Sequence, residues 1–206
     1  MAAVLDAFIP APDIRERHAI VVHAPAELVV DVARHFDLGS LPLVRAMFWL
    51  RAKLMRARGL AAAHPATADV AGLLQMGWGL LTEEPGRLVV AGAVCQPWRA
   101  DVVFTPIEPG QFASYADPDR VKIAWTLEAE PFGPALTRFA TETRAVATDA
   151  AARIKFRRYW RWARFGIVGI RWLLLPAVRR TAQRRWQASQ GPSGETPPLG
   201  GRKPVG

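Results

Sequence analysis

Residues 121–130, VKIAWTLEAE, alternate apolar and polar positions without a break. Val121, Ile123, Trp125 and Leu127 fall on one face of a strand, and Lys122, Thr126, Glu128 and Glu130 on the other. Phe132-Gly133-Pro134 then predicts a turn into a last strand, Leu136 to Thr148. Upstream, Gln75 to Glu83 and Arg87 to Gln96 flank the short Glu84-Pro85-Gly86 connection and read as a hairpin, with Ala100 to Ile107 as a further strand candidate. The chain opens its first strand over Glu16 to His23, which is rich in β-branched residues.

The period changes to that of helices in three places. Pro25 suits the first helical position, Glu27 the first turn, and Leu28, Val29, Val32 and Phe36 recur at helical spacing before Gly39. Ser40 can cap a second helix whose apolar stripe is Val44, Met47, Phe48, Leu54 and Met55, and an alanine-rich loop follows from Gly59 to Asp69. Asp149 stands where an N-cap belongs, before a long helix predicted to reach about Trp186 with a kink at Pro176. One strand, two helices, about five or six antiparallel strands and a long C-terminal helix make an α+β domain, helices covering one face of a curved sheet. The domain is expected over 13–187, with residues 1–12 as an N-terminal extension and the Gly/Pro-rich 188–206 as a disordered tail.

Composition adds a core and a location for the charge. At 206 residues and 50% apolar content the chain can bury a core. Its net charge of +9 is concentrated: residues 1–149 hold 14 Lys/Arg against 17 Asp/Glu, whereas 150–187 hold 11 Lys/Arg and no acid. A smaller acid-free stretch between Leu38 and Ala68 carries Arg45, Arg51, Lys53, Arg56 and Arg58. The basic character is therefore a property of particular surfaces. The single Cys95 leaves no internal disulfide and fits a reducing compartment. The first fourteen residues do not read as a signal peptide, and Ile167 to Val178, interrupted by Arg171 and Pro176, is too short to span a bilayer. The expected compartment is the cytoplasm, with peripheral membrane association left open.

The order of elements and the strings RHAIVVHAPAELVVDVARHFDL (17–38), PLVRAMFWLR (42–51), LLTEEPGRLVVAG (80–92), VKIAWTLEAEPFG (121–133) and TRFATETRAVATDAAARIKFRRYW (137–160) resemble the SRPBCC superfamily. These are the helix-grip proteins related to START lipid-transfer domains, Bet v 1-type proteins and polyketide cyclase/dehydrase-like proteins, and the strings look like an actinobacterial-type branch. The resemblance implies a curved antiparallel sheet wrapped around the C-terminal helix with a cavity between them. It implies binding or transport of a small hydrophobic or amphipathic ligand, lipid-like or polyketide-like. It leaves open a cyclase- or hydrolase-like enzyme, because this fold hosts many functions.

On a wheel at 100° per residue Ala152, Phe156, Tyr159, Ala163, Ile167, Ile170 and Leu174 share one face of the long helix. Arg153, Arg157, Arg161, Arg164 and Arg171 share an adjoining one, expected as a basic surface. Ala163 either leaves room for a ligand or lets the helix approach the sheet. Trp78, Trp98 and Trp125 are either core or, with Phe156, Tyr159, Ala163 and Ile167, the ligand-lining set. Trp162, Phe165 and Trp172 fall outside the core face. There they suit an interfacial membrane helix, or pack on the N-terminal segment or a second copy; a nucleic-acid surface is disfavoured because no usual module is present.

On the last strand Arg138, Glu142 and Arg144 share a face. The ordinary expectation is an exposed ladder of charges; the alternative is an inward polar floor of Glu142 and Arg144 that orients a ligand. No catalytic motif, metal-ligand spacing or cofactor loop is found, and His18, His23, His35 and His64 read as structural. An enzyme would need Glu142, Arg144, Tyr159 or His23 inside the cavity. The oligomeric state is not legible.

Overall fold

The computed structural model describes residues 4–42, 44–46, 49, 53 and 69–191. Within them the period-two segments form β1 (Ile14–Val22), β2 (Gly79–Glu84), β3 (Leu88–Cys95), β4 (Val121–Gly133) and β5 (Leu136–Ala147). The helices are α1 (Ala26–Arg34), α2 (Val70–Gln75), α3 (Pro109–Phe112) and α4 (Ala150–Ser189). All strand pairs are antiparallel, in the order β1-β5-β4-β3-β2. Strands β2 to β5 form a meander, and β1 closes its far side by pairing with β5. This is the expected α+β architecture, a sheet folded against one long C-terminal helix.

The register explains the packing, because opposite residues on paired strands point the same way. Val22, Leu127, Ala129 and Phe139 face the helices and are buried against Val29 and Val32 of α1 and Leu175, Val178 and Ala182 of α4. Each large apolar side chain in that layer contributes about 1.5–3 kcal/mol on burial. Asp149 caps α4 as predicted, Oδ1 accepting from Ala152 N–H at 2.7 Å. Its pKa lies below the ordinary value because the backbone N–H groups of Ala152 and Asp119 stabilise the carboxylate. Asp13 ties β1 to its neighbours: its carboxylate accepts from Ala147 N–H at 3.0 Å and from Arg153 Nε at 2.7 Å.

Much of the opposite face is covered too, although Arg15, Arg17, Ala19 and Val21 of β1 stay exposed on it. Leu5, Ile9 and Phe112 bury themselves on Leu81, Leu88, Val90 and Ala124, so Leu5 and Ile9, within the expected N-terminal extension, pack on the sheet. Gly92 lies under this cover, and a Cβ there would sit 2.7 Å from Leu81 and 2.8 Å from Phe112.

Several expected boundaries shift. The strand expected from Gln75 begins at Gly79, because Asp69 caps α2, its Oδ1 accepting from Gly72 N–H at 2.8 Å. Gly77 follows at φ +101°, a conformation only glycine adopts freely, and a Cβ there would meet Phe104 O at 2.1 Å. Ala100 to Ile107 is not a strand; Thr105 alone bridges Val94, and Pro106 has no donor to continue the ladder. Helix α4 continues through Pro176 to Ser189, past the expected end. In the second predicted helix Pro42, Val44–Ala46, Trp49 and Lys53 are helical, while Met47, Phe48, Leu54 and Met55 lie outside the described residues, as do Gly59 to Ala68 and the tail beyond Gly191.

Candidate functional site

The middle of the sheet is covered on its back and partly open on the face toward α4. On the back, Lys122, Ala124 and Thr126 of β4 are buried, whereas Ile123 and Trp125, which look toward α4, are half-buried. The same holds for Glu16 and His18 on β1 and Thr143 on β5. Register makes Ala91, Trp125, Thr143 and Glu16 consecutive members of one row across four strands, at about 4.8 Å per step. The adjoining row contains Leu127, Thr141 and His18.

This face runs from aromatic to charged. At one end Trp125 meets Trp78 edge-on with ring centroids 6.1 Å apart, and Trp78 stacks on Phe104 at 4.9 Å. Moving toward β1, the next member is Thr143, whose Oγ1 accepts a hydrogen bond from Arg171 Nη2. Arg171 is only 7% exposed, and its other terminal nitrogen, Nη1, is buried with no hydrogen-bond partner among the described residues. No carboxylate lies within 4.0 Å of this guanidinium among them. Burial lowers the Arg171 pKa from its ordinary value, partly offset by the charge of Glu16. His18 Nε2 is likewise buried without a hydrogen-bond partner, 3.9 Å from Glu16 Oε2. The arrangement offers an apolar stacking surface, a hydroxyl, and a cation with a free donor.

Arg171 therefore does not join the expected basic surface. Counting back from the buried Leu175, Val178 and Ala182 at helical spacing reaches residue 171, so its Cβ points at the sheet. Arg157, Arg161 and Arg164 are exposed, and Arg153 is half-buried on Asp13. An open groove of about 680 Å³ runs between β1 and α4, lined by Asp13, Glu16, Arg157, Arg158, Trp160 and Arg161. Glu16 belongs both to this groove and to the Trp125–Thr143 row.

The aromatic residues of the sequence reading divide into two groups. Trp78 and Trp125 stand together as described. Trp98, which lies in a turn and not a strand, packs with Phe156 and Tyr159 on Val121 and Ala145 at the other end of α4. There Trp98, Lys155, Arg158, Tyr159 and Trp162 surround a surface recess of about 320 Å³. Phe156 is fully buried core, Ala163 is half-buried, and Ile167 is helical with its side chain outside the described set.

Glu142 and Arg144 are on the face away from α4 and form no floor beneath it. They are not an exposed ladder either: both are buried, because residues 4–9 lie over them. Arg144 donates to Glu142 Oε1 at 2.7 Å, Asp6 Oδ1 at 2.6 Å and Ile9 O at 2.8 Å. Burial works to lower the Arg144 pKa, but the bonds from Glu142 and Asp6 outweigh it and hold the pKa above its ordinary value. Glu142 also takes Arg15 Nε at 2.9 Å. Arg138 remains near the surface, 3.7 Å from Glu130. His23 is exposed, so among Glu142, Arg144, Tyr159 and His23 none reaches the Trp125–Thr143 row.

Among the described residues no cluster of three or more His, Cys, Asp or Glu is arranged for a metal, and no helix is long and apolar enough to cross a membrane. No family model matches the chain, and no curated protein does. Among solved structures, the Zhui aromatase/cyclase from Streptomyces sp. R1128 is similar to this chain over 86% of its length and 98% of that protein's, with 14% identity and a TM-score of 0.30.

Proposed function

We propose that this protein binds a small amphipathic molecule between the sheet and α4, with its apolar body on Trp78 and Trp125 and an acidic group on Arg171. The observation that carries the reading is the free, buried Nη1 of Arg171 beside a half-open row that passes from aromatic to polar. A cation is kept in a desolvated place at a cost, and a carboxylate or phosphate on Nη1 would offset it. The edge-on pair of indoles suits a chain or a ring system equally. Such a site binds and orients the molecule.

A fluorescent long-chain fatty acid and its methyl ester test the reading by direct titration. A charge-assisted bond worth about 1.5–3 kcal/mol makes the acid bind tighter than the ester by roughly tenfold to a hundredfold. Arg171→Leu should remove that preference, and Trp78→Ala should weaken both probes alike. Saturable binding with no acid preference, or a preference that survives Arg171→Leu, would overturn the assignment of Arg171; no saturable binding of either probe would overturn the site.

A further inference from the structure

Among the described residues, helix α4 carries four of the ten large apolar side chains that are exposed. Trp162 is 74% exposed, Ile154 71%, Trp172 71% and Phe165 66%. Isolated apolar residues on a surface need no explanation, but these are not isolated. At 100° per residue Ile154, Arg158, Arg161, Phe165 and Trp172 fall within a sector of about 60°, with Trp162 adjoining, along a ridge of roughly 27 Å. Arg157 and Arg164 flank it, the latter placing its guanidinium 4.8 Å from the Phe165 ring centroid.

The charge of the ridge selects its occupant. Residues 150–187 contain no acid, and Asp13 pairs with Arg153 and Arg157 alone on this helix, so a surface that covers Arg158, Arg161 and Arg164 must supply the negative charge. The chain's own stretch from 38 to 68 is also acid-free and brings five more cations, which makes it a poor cover. A second copy docking through the same ridge would set arginine against arginine. Duplex nucleic acid would satisfy the arginines and leave Ile154, Phe165 and Trp172 with nothing apolar to enter.

We infer that the outer ridge of α4 is a docking surface for an anionic lipid bilayer, lying in the plane of the interface. Arginines meet lipid phosphates while Trp162, Phe165, Trp172 and Ile154 enter the boundary between headgroups and acyl chains. The groove beside β1, lined by Arg157, Arg158 and Arg161, then opens onto the bilayer surface. The inference stands on this ridge alone and does not depend on the ligand proposed for Arg171.

Co-sedimentation of the full chain with phosphatidylcholine vesicles, alone and mixed with phosphatidylglycerol, tests it. Binding should need the anionic lipid and fall as salt rises. The Arg158→Gln, Arg161→Gln pair should weaken partitioning by about thirtyfold, and Trp162→Ala, Phe165→Ala, Trp172→Ala should reduce it further while the circular dichroism spectrum stays unchanged. Equal binding to both vesicles, or none, overturns the inference. So does a dimer that the three aromatic replacements convert to monomer, or DNA that displaces the protein from vesicles at physiological salt.

Discussion

Replacing Arg171 by leucine should make this protein more stable, an outcome opposite to that of most buried-site substitutions. The guanidinium is buried, makes one hydrogen bond to Thr143, leaves Nη1 unpaired, and has no carboxylate within 4.0 Å among the described residues. An unpaired buried donor costs about 1–3 kcal/mol, and the cation remains charged at neutral pH, so its desolvation is borne in full. Leucine keeps the apolar part of the stem and gives up one charge-assisted bond worth about 1.5–3 kcal/mol. These two terms nearly cancel, so the desolvation of the ion, several kcal/mol in a protein interior, sets an expected net gain of about 1–3 kcal/mol. With a urea m-value of about 2 kcal/mol/M, the unfolding midpoint rises by roughly 0.5–1.5 M. Far-UV circular dichroism across a urea series at neutral pH measures it. A midpoint lowered by more than the error of the fit would refute the reasoning, because it would mean that Arg171 holds the fold together instead of waiting for an anion.

Two further substitutions probe the other layers. Phe156, fully buried between β4, β5 and α4, should cost about 3–5 kcal/mol when cut to alanine, and urea midpoints measure that loss. Glu142→Ala should cost about 3–5 kcal/mol because it removes the main partner of a buried arginine; Asp6→Asn should cost far less, since Asp6 is 44% exposed on its side chain, and equal losses would contradict this account. For acid, the folded pKa of Asp149 lies below its unfolded value of about 3.9, so its contribution is complete above that value and is lost as pH falls through the folded pKa. Asp149→Ala should therefore fall below the parent in stability by more at pH 7 than in acid; a difference that does not change with pH counts against the cap.

What the sequence discloses depends on how local the cause is. The alternation in 121–130 and the cap at Asp149 act over a few residues, and both appear in the structure where they were expected. Arg171 lies about 100° around the helix from Ala152, and the side of α4 that meets the sheet moves round by that angle between its two halves, which one stripe for the whole helix hides. The stripe that packs on the sheet in the second half of α4 is Arg171, Leu175, Val178 and Ala182, and it emerges only when the wheel is started from the apolar end. Trp125, Thr143 and Glu16 belong to three strands far apart in sequence, so their row follows from register, which no local pattern specifies. The burial of Glu142 and Arg144 has a nonlocal cause too: the alternation put them on the outer face, but the cover is a segment some 135 residues upstream.

That cover has a consequence for synthesis. Asp6, Ile9 and the whole of β1 find their partners in β5 and α4, Asp6 and Arg144 standing 138 positions apart in the chain. A ribosome adding about 5–20 residues per second leaves β1 without its neighbour for roughly 6–25 seconds after it is made. Through that interval IRERHAIVV is a strand with two open edges, and the Arg15, Glu16, Arg17 charges at its start are what keep it from pairing with another nascent chain.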